Sequence, residues 1–150
     1  MPQSLAKVLI HLVFSTKGRQ PLLPHEFYEP LKQYAYGILE KRKCHLIDMN
    51  NVADHVHILF ELHRTESLAD LVMHVKKGTS RWLKEQELRY RGFDWQDGYG
   101  AFSLGRSQRE ECCGYIRRQQ AHHLGESFQD EFRKFLVAYE VDYDERYVWD

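Results

Sequence analysis

Two histidines in an alternating apolar stretch, and a tyrosine four residues before a glutamine, are the groups of this chain best placed to do chemistry. The stretch reads Asp54-His55-Val56-His57-Ile58-Leu59-Phe60-Glu61-Leu62. In a strand, alternate residues share a face, so Val56, Ile58, Phe60 and Leu62 form an unbroken apolar row and the two histidines point the other way. Imidazoles at that spacing sit close enough to share one divalent ion. The plainer reading is two polar residues on a half-exposed strand. Tyr115 and Gln119 lie one turn apart on a helix face. A tyrosine with its ordinary pKa of about 10 is a poor nucleophile, but it becomes workable where a metal polarises the acceptor phosphate. Gln119 adds a neutral oxygen, and the resulting His-His-Gln set, with positions left for phosphate, suits Mg²⁺ or Mn²⁺. Here the plainer reading packs Tyr115 in a core and turns Gln119 to water.

Other groups are less specific. His122-His123 and Cys112-Cys113 suggest zinc, but neighbours on a helix diverge by about 100°, and neither Cys-x-x-Cys nor His-x-x-x-His spacing accompanies them. The cysteines read as small, mostly buried helix residues. His122, two turns beyond Tyr115, could sit near the site, but it reads first as a helix-end residue facing the C-terminal dipole. Basic residues flank these segments: Lys17 and Arg19, then Lys76, Lys77 and Arg81 with Lys84, then Arg117 and Arg118. Each group suits a solvated face. Interleaved with Trp82, Tyr90, Phe93, Trp95 and Tyr99, the same residues could hold a phosphate backbone and stack unpaired bases.

The elements that must position these groups follow from periodicity and capping. A strand is predicted over Ala6–Thr16 and a helix over His25–Lys43, then short strands over Cys44–Val52 and His55–Leu62. Ser67 and Asp70 have capping-box spacing for a second helix, whose apolar face runs from Leu68 to Leu83. Gly92–Gly98 reads as a loop and Tyr99–Leu104 as a strand. Ser107 with Glu110 is predicted to cap a helix reaching about Leu124, stopped by Gly125. Ser127 caps a last helix with Phe128, Phe132, Phe135, Leu136 and Tyr139 on one side. The predicted class is α+β: a ferredoxin-like, RRM-like antiparallel sheet with helices on one face, plus the tyrosine helix and a C-terminal helix. The other face of such a sheet is open to a ligand unless something covers it.

The 150 residues suit one domain, 1–150. No apolar run approaches a membrane span, and Lys7, His11 and Ser15 interrupt Met1–Thr16 as a leader. Three cysteines, two of them adjacent, argue against a disulfide scaffold and point to a cytoplasmic protein. The net charge of −1 looks unsuited to nucleic acid, but it is unevenly spread. Residues 1–125 carry 18 basic and 14 acidic side chains, against 3 and 8 in residues 126–150. A mildly basic body therefore ends in an acidic piece.

Together these motifs resemble the HUH single-tyrosine transposases, which move insertion sequences as single-stranded DNA, and their REP-associated relatives. The resemblance rests on His11-Leu12-Val13-Phe14-Ser15-Thr16-Lys17 with Arg19, Asp54-His55-Val56-His57, and Lys76-x-x-Thr79-Ser80. It continues through Trp95-Gln96-x-Gly98-Tyr99-x-Ala101-Phe102-Ser103, Tyr115-Ile116-x-x-Gln119 with His122-His123, and Tyr143-Asp144-Glu145-Arg146-Tyr147. Cys112-Cys113 departs from it. The resemblance implies that His55, His57 and Gln119 hold the metal. It makes Tyr115 the nucleophile that cleaves DNA through a 5′-phosphotyrosine. It also implies a homodimer that binds hairpins at element ends, with the tyrosine helix of one subunit often set against the histidine pair of the other. The alternative is a catalytically silent single-stranded nucleic-acid-binding module on an RRM-like sheet.

Overall fold

The computed structural model describes residues 2–150; Met1, the first residue of the Met1–Thr16 leader reading, lies outside them. The strands are β1 (Leu9–Ser15), β2 (His45–Asn51), β3 (His55–Glu61) and β4 (Gly100–Leu104). They form one antiparallel sheet in the order β2-β3-β1-β4, which places the two central strands, β1 and β3, side by side. Helix α1 (Tyr28–Lys41) connects β1 to β2, and α2 (Leu68–Gln86) connects β3 to β4. This is the split βαβ arrangement read from the element order.

One face is packed as predicted. Ile10, Leu12 and Phe14 of β1 and Val56, Ile58 and Phe60 of β3 share a core with Leu31, Ala35 and Leu39 of α1 and Leu71, Val72 and Val75 of α2. Ser67 caps α2, its hydroxyl accepting from the Asp70 amide at 3.1 Å.

The opposite face is covered rather than open. After β4 come α3 (Arg109–Arg117), a short α4 (Gln119–His122) and α5 (Phe128–Ala138). Cys113 and Ile116 of α3 pack on Leu59, while Phe128, Phe132 and Leu136 of α5 pack on Val13 and Phe102. Gly100 makes the second contact possible, because a Cβ there would lie 2.6 Å from a Phe132 ring carbon. All seven β1 residues are consequently buried. The sheet is the middle of three layers, with His55 and His57 between it and its own C-terminal helices.

Two details of the tyrosine helix differ from the sequence reading. It begins at Arg109, after a 3₁₀ turn (Arg106–Gln108) that contains Ser107 and is entered at Gly105, whose amide donates to Gln108 Oε1 at 2.9 Å. The predicted continuous helix to Leu124 is also broken at Arg118 (φ −93, ψ 13), which separates α3 from α4. Ser127 caps α5 as expected, accepting from the Asp130 amide at 3.2 Å. The acidic tail folds back: Asp150 accepts from the Gly98 amide, and Trp149 lies against Phe128 and Phe132.

Candidate active site

Register explains which groups meet. Val13 of β1 lies opposite His57 and Ser15 opposite His55, so these residues share the inner face with His11, two positions before Val13. Both β3 histidines have 0 % exposure. His57 Nδ1 meets His11 Nε2 at 2.8 Å, and its Nε2 meets Glu131 Oε1 at 2.9 Å. His55 Nδ1 is held by Asp54 at 2.6 Å, while its Nε2 faces His123 Nε2 at 3.1 Å and Glu131 Oε1 at 3.4 Å. His123 in turn contacts Glu131 Oε2 at 3.0 Å and the Glu126 carbonyl at 2.5 Å.

Tyr115 reaches this cluster from α3. Its hydroxyl donates to Glu131 Oε2 and lies 3.4 Å from His122 Nε2. Its ring is 5.8 Å from that of His57 in the same chain. Gln119 is fully buried beside it, with Nε2 donating to Glu131 Oε2 at 3.2 Å and Oε1 without a partner. The four residues singled out by spacing therefore converge. The plainer alternatives, histidines on a half-exposed strand and Gln119 in water, do not hold. A cavity of about 220 Å³ lined by His11, Cys112, Tyr115, Phe135 and Tyr139 opens beside the tyrosine.

Burial dominates the protonation of the cluster. Desolvation lowers the His57 pKa to about 4 and that of His11 to about 3, so both rings are neutral at physiological pH. For His55 the same burial penalty is outweighed by Asp54 and Glu131, and the pKa rises. Burial, reinforced by the Glu131 carboxylate, pushes the Tyr115 hydroxyl well above its ordinary range. Burial alone would favour a protonated Glu131, but its hydrogen bonds with His123, His55 and His57 hold it ionised. Tyr115 therefore rests as a neutral phenol against a carboxylate.

Glu131 is the member that the sequence reading lacks, and His123 is one that it sets aside with the zinc reading; His122 does end α4, as expected, and also reaches the Tyr115 hydroxyl. Glu131 did leave a trace. It stands between Phe128 and Phe135 on the apolar stripe of α5, where a charged residue is out of place. Cys113 belongs to the core, and burial raises the Cys112 thiol to about 12, which disfavours the thiolate.

The basic candidates divide between two faces. Lys77 and Arg81 are exposed on α2, across the sheet from Tyr115, and line a groove with Ser80, Lys84 and Trp95. Lys76 beside them is half-buried, and its ammonium donates to the carbonyls of Gln96, Asp97 and Gly98 at 2.8, 3.1 and 2.5 Å. Lys17 is exposed at the end of β1, and Arg19 stacks on Trp149 at 5.7 Å. Arg117 and Arg118 are exposed beside Tyr115, with Arg117 paired to Asp48 at 2.9 Å.

A family model described as "Transposase IS200 like" matches residues 4–119. The ISDra2 transposase TnpA of Deinococcus radiodurans is 25% identical over 114 residues, covering 73% of this chain and 81% of that protein. A solved transposase-like chain from Deinococcus radiodurans R1 superposes with a TM-score of 0.62 at 22% identity, over 79% of this chain and 98% of that one. A REP-associated tyrosine transposase bound to a REP hairpin gives 0.61 at 13% identity, over 82% and 73%. The two structures share the fold. The family match runs from before β1 through Gln119, taking in the histidine strand and Tyr115, and so places this chain in the IS200-like transposase family.

Proposed function

We propose that this chain cleaves and rejoins single-stranded DNA with Tyr115 as nucleophile, on a divalent ion held by His55, His57 and Gln119. The observation that carries this reading is the meeting of Tyr115 and Gln119, from α3 and α4, with the histidine pair of β3 in one buried pocket. The residues fit an ion: Gln119 Oε1 is a buried acceptor without a partner, and rotating the amide by 180° exchanges its oxygen and nitrogen without moving the rest of the side chain. An ion bound there supplies charge stabilisation to the oxygens of a scissile phosphate.

The chain's own residues do the rest. Tyr115 attacks phosphorus; the Oη–P bond forms and the P–O3′ bond breaks. This leaves a 5′-phosphotyrosine and a 3′-oxygen that takes a proton from water to become the 3′-hydroxyl. Glu131 Oε2, already accepting the Tyr115 hydroxyl, is positioned to receive the phenolic proton. Because the phosphotyrosine keeps the diester's bond energy, rejoining to another 3′-hydroxyl needs no nucleotide cofactor. Asp54 and His11 orient His55 and His57 through their second ring nitrogens.

The substrate class we infer is a DNA hairpin, since the relative solved with nucleic acid is bound to a REP hairpin. Lys17, Arg19, Lys77, Arg81, Arg117 and Arg118 are proposed to hold its backbone, with Lys76 fixing the loop beneath them. Residues 1–150 act as one domain in this reading, because α5 and the tail complete the layer over the histidines. In the homodimer implied by the family, each subunit would carry a complete site of its own. Among the described residues no helix is long and apolar enough to cross a membrane, and we assign the protein to the cytoplasm, where its DNA is. Incubation with single-stranded hairpin DNA and Mn²⁺ tests the proposal. A covalent protein–DNA adduct is expected and should vanish in Tyr115→Phe; an adduct surviving that substitution overturns the assignment, and a purely binding module forms none.

A further inference from the structure

We infer that α5 completes the metal site: His123 and Glu131 join His55 and His57 in a centre of three imidazoles and one carboxylate, which takes Zn²⁺ or Mn²⁺ in preference to Mg²⁺. This deepens the metal-assisted reading above and rests on it. Both added residues lie beyond the family match, which ends at Gln119.

Two hydrogen bonds leave ring nitrogens facing each other. His55 Nδ1 bonds a carboxylate, and His123 Nδ1 bonds a carbonyl. Neither partner can donate, so each ring carries a proton on Nδ1, and its Nε2 binds either a second proton or an ion. Those two Nε2 atoms are 3.1 Å apart. Two such nitrogens at that distance share a cation, a proton when the site is empty and a metal ion when it is filled. Glu131, only 2 % exposed, brings an anion to the same point from an otherwise apolar helix face. A buried charge of this kind needs a compensating one.

The spacing fits an ion. The four ligand atoms lie within 4.8 Å of one another. His57 Nε2 to Glu131 Oε1 is 2.9 Å, and His55 Nε2 to the same oxygen is 3.4 Å. For metal–ligand bonds of about 2.0–2.1 Å, the edge of a tetrahedron is about 3.3 Å and that of an octahedron about 2.9 Å. The separations of 2.9, 3.1 and 3.4 Å lie close to that range, and the widest pair, at up to 4.8 Å, closes as the ion enters. Gln119 Oε1 remains available as a further donor. Imidazole-rich sites favour later transition ions, whereas Mg²⁺ prefers all-oxygen shells and keeps its waters, which sets the order of preference.

The test uses the full-length chain, stripped with a chelator and titrated separately with zinc, manganese and magnesium chlorides. Binding is read by calorimetry and thermal unfolding, with no DNA present. Zn²⁺ and Mn²⁺ should bind and raise Tm, with Mg²⁺ far weaker. Glu131→Gln and His123→Ala should each weaken Mn²⁺ binding by about tenfold or more. If both variants bind Mn²⁺ like the parent while His57→Ala does not, the α5 ligands are refuted and the His-His-Gln reading stands. If His57→Ala also binds like the parent, the metal-assisted reading itself falls. Cobalt substitution of the unmutated protein provides a check independent of variant folding. Intense visible absorption from a low-coordinate Co²⁺ supports the centre, and the weak absorption of a six-coordinate, water-rich Co²⁺ overturns it.

Discussion

Phe132→Ala should release α5 from the sheet while leaving the rest of the fold in place. Phe132 is 3 % exposed and packs in a small cluster with Val13, Phe102, Phe128 and Leu136. Its ring lies 5.4 Å from that of Phe128 and 5.9 Å from that of Trp149. Truncating a buried phenylalanine costs about 3–5 kcal/mol through lost transfer energy and the cavity left behind. The cluster is separate from the larger one beneath α1 and α2, so the loss should fall on the opening of α5 rather than on global unfolding. At about 1.4 kcal/mol per decade, amide exchange in residues 132–138 should accelerate about 10²- to 4 × 10³-fold, with amides of α1 and β3 much less affected. Because Glu131 lies beside Phe132, the same change should expose His55 and His57 to solvent. Hydrogen exchange read by NMR or mass spectrometry decides it. Acceleration below tenfold in α5, or equal acceleration in α1, would refute the picture of a separately docked layer.

Two further stability predictions follow from close contacts. Gly100→Ala should lower stability by about 1–3 kcal/mol, seen as a lower Tm, because its Cβ would meet Phe132 ring carbons at 2.6 and 2.9 Å; an unchanged Tm would show that α5 is not seated so tightly on β4. Lys76→Met keeps the apolar stem but removes the ammonium from three carbonyls of the 96–98 loop, whose Gln96 also accepts from the Ser15 amide at 2.8 Å. A loss of about 2–3 kcal/mol is expected in urea unfolding, and a loss under about 0.5 kcal/mol would return Lys76 to the pool of free cations for DNA.

How much was legible differs between the two ends of the chain. In β3, alternation separated Val56, Ile58 and Phe60 from His55 and His57, and the structure keeps that division. Ser67 and Ser127 marked two helix starts by local hydrogen bonds that need no tertiary partner. Ser107 does not cap α3: it lies inside a 3₁₀ turn that Gly105 and Gln108 cap, one residue before the Gln108 at which α3 is entered. The break at Arg118 had no signature, since neither Gly nor Pro marks it. Tyr115 and Gln119 share the pocket although that break separates their helices.

Local patterns in the chain suffice for the sheet, its two-helix face, the strand that carries the histidines and the helix that carries the tyrosine. Each is written in a period of 2 or 3.6 residues and in short-range capping. Only the tertiary structure decided that the histidine face is covered, and by what. The apolar stripe of α5 requires some partner, but periodicity does not say which surface receives it. That docking brings Glu131 to His57 across 74 positions of chain and His123 to His55 across 68. No local pattern encodes contacts of that separation; shape, such as the space left by Gly100 for Phe132, selects them.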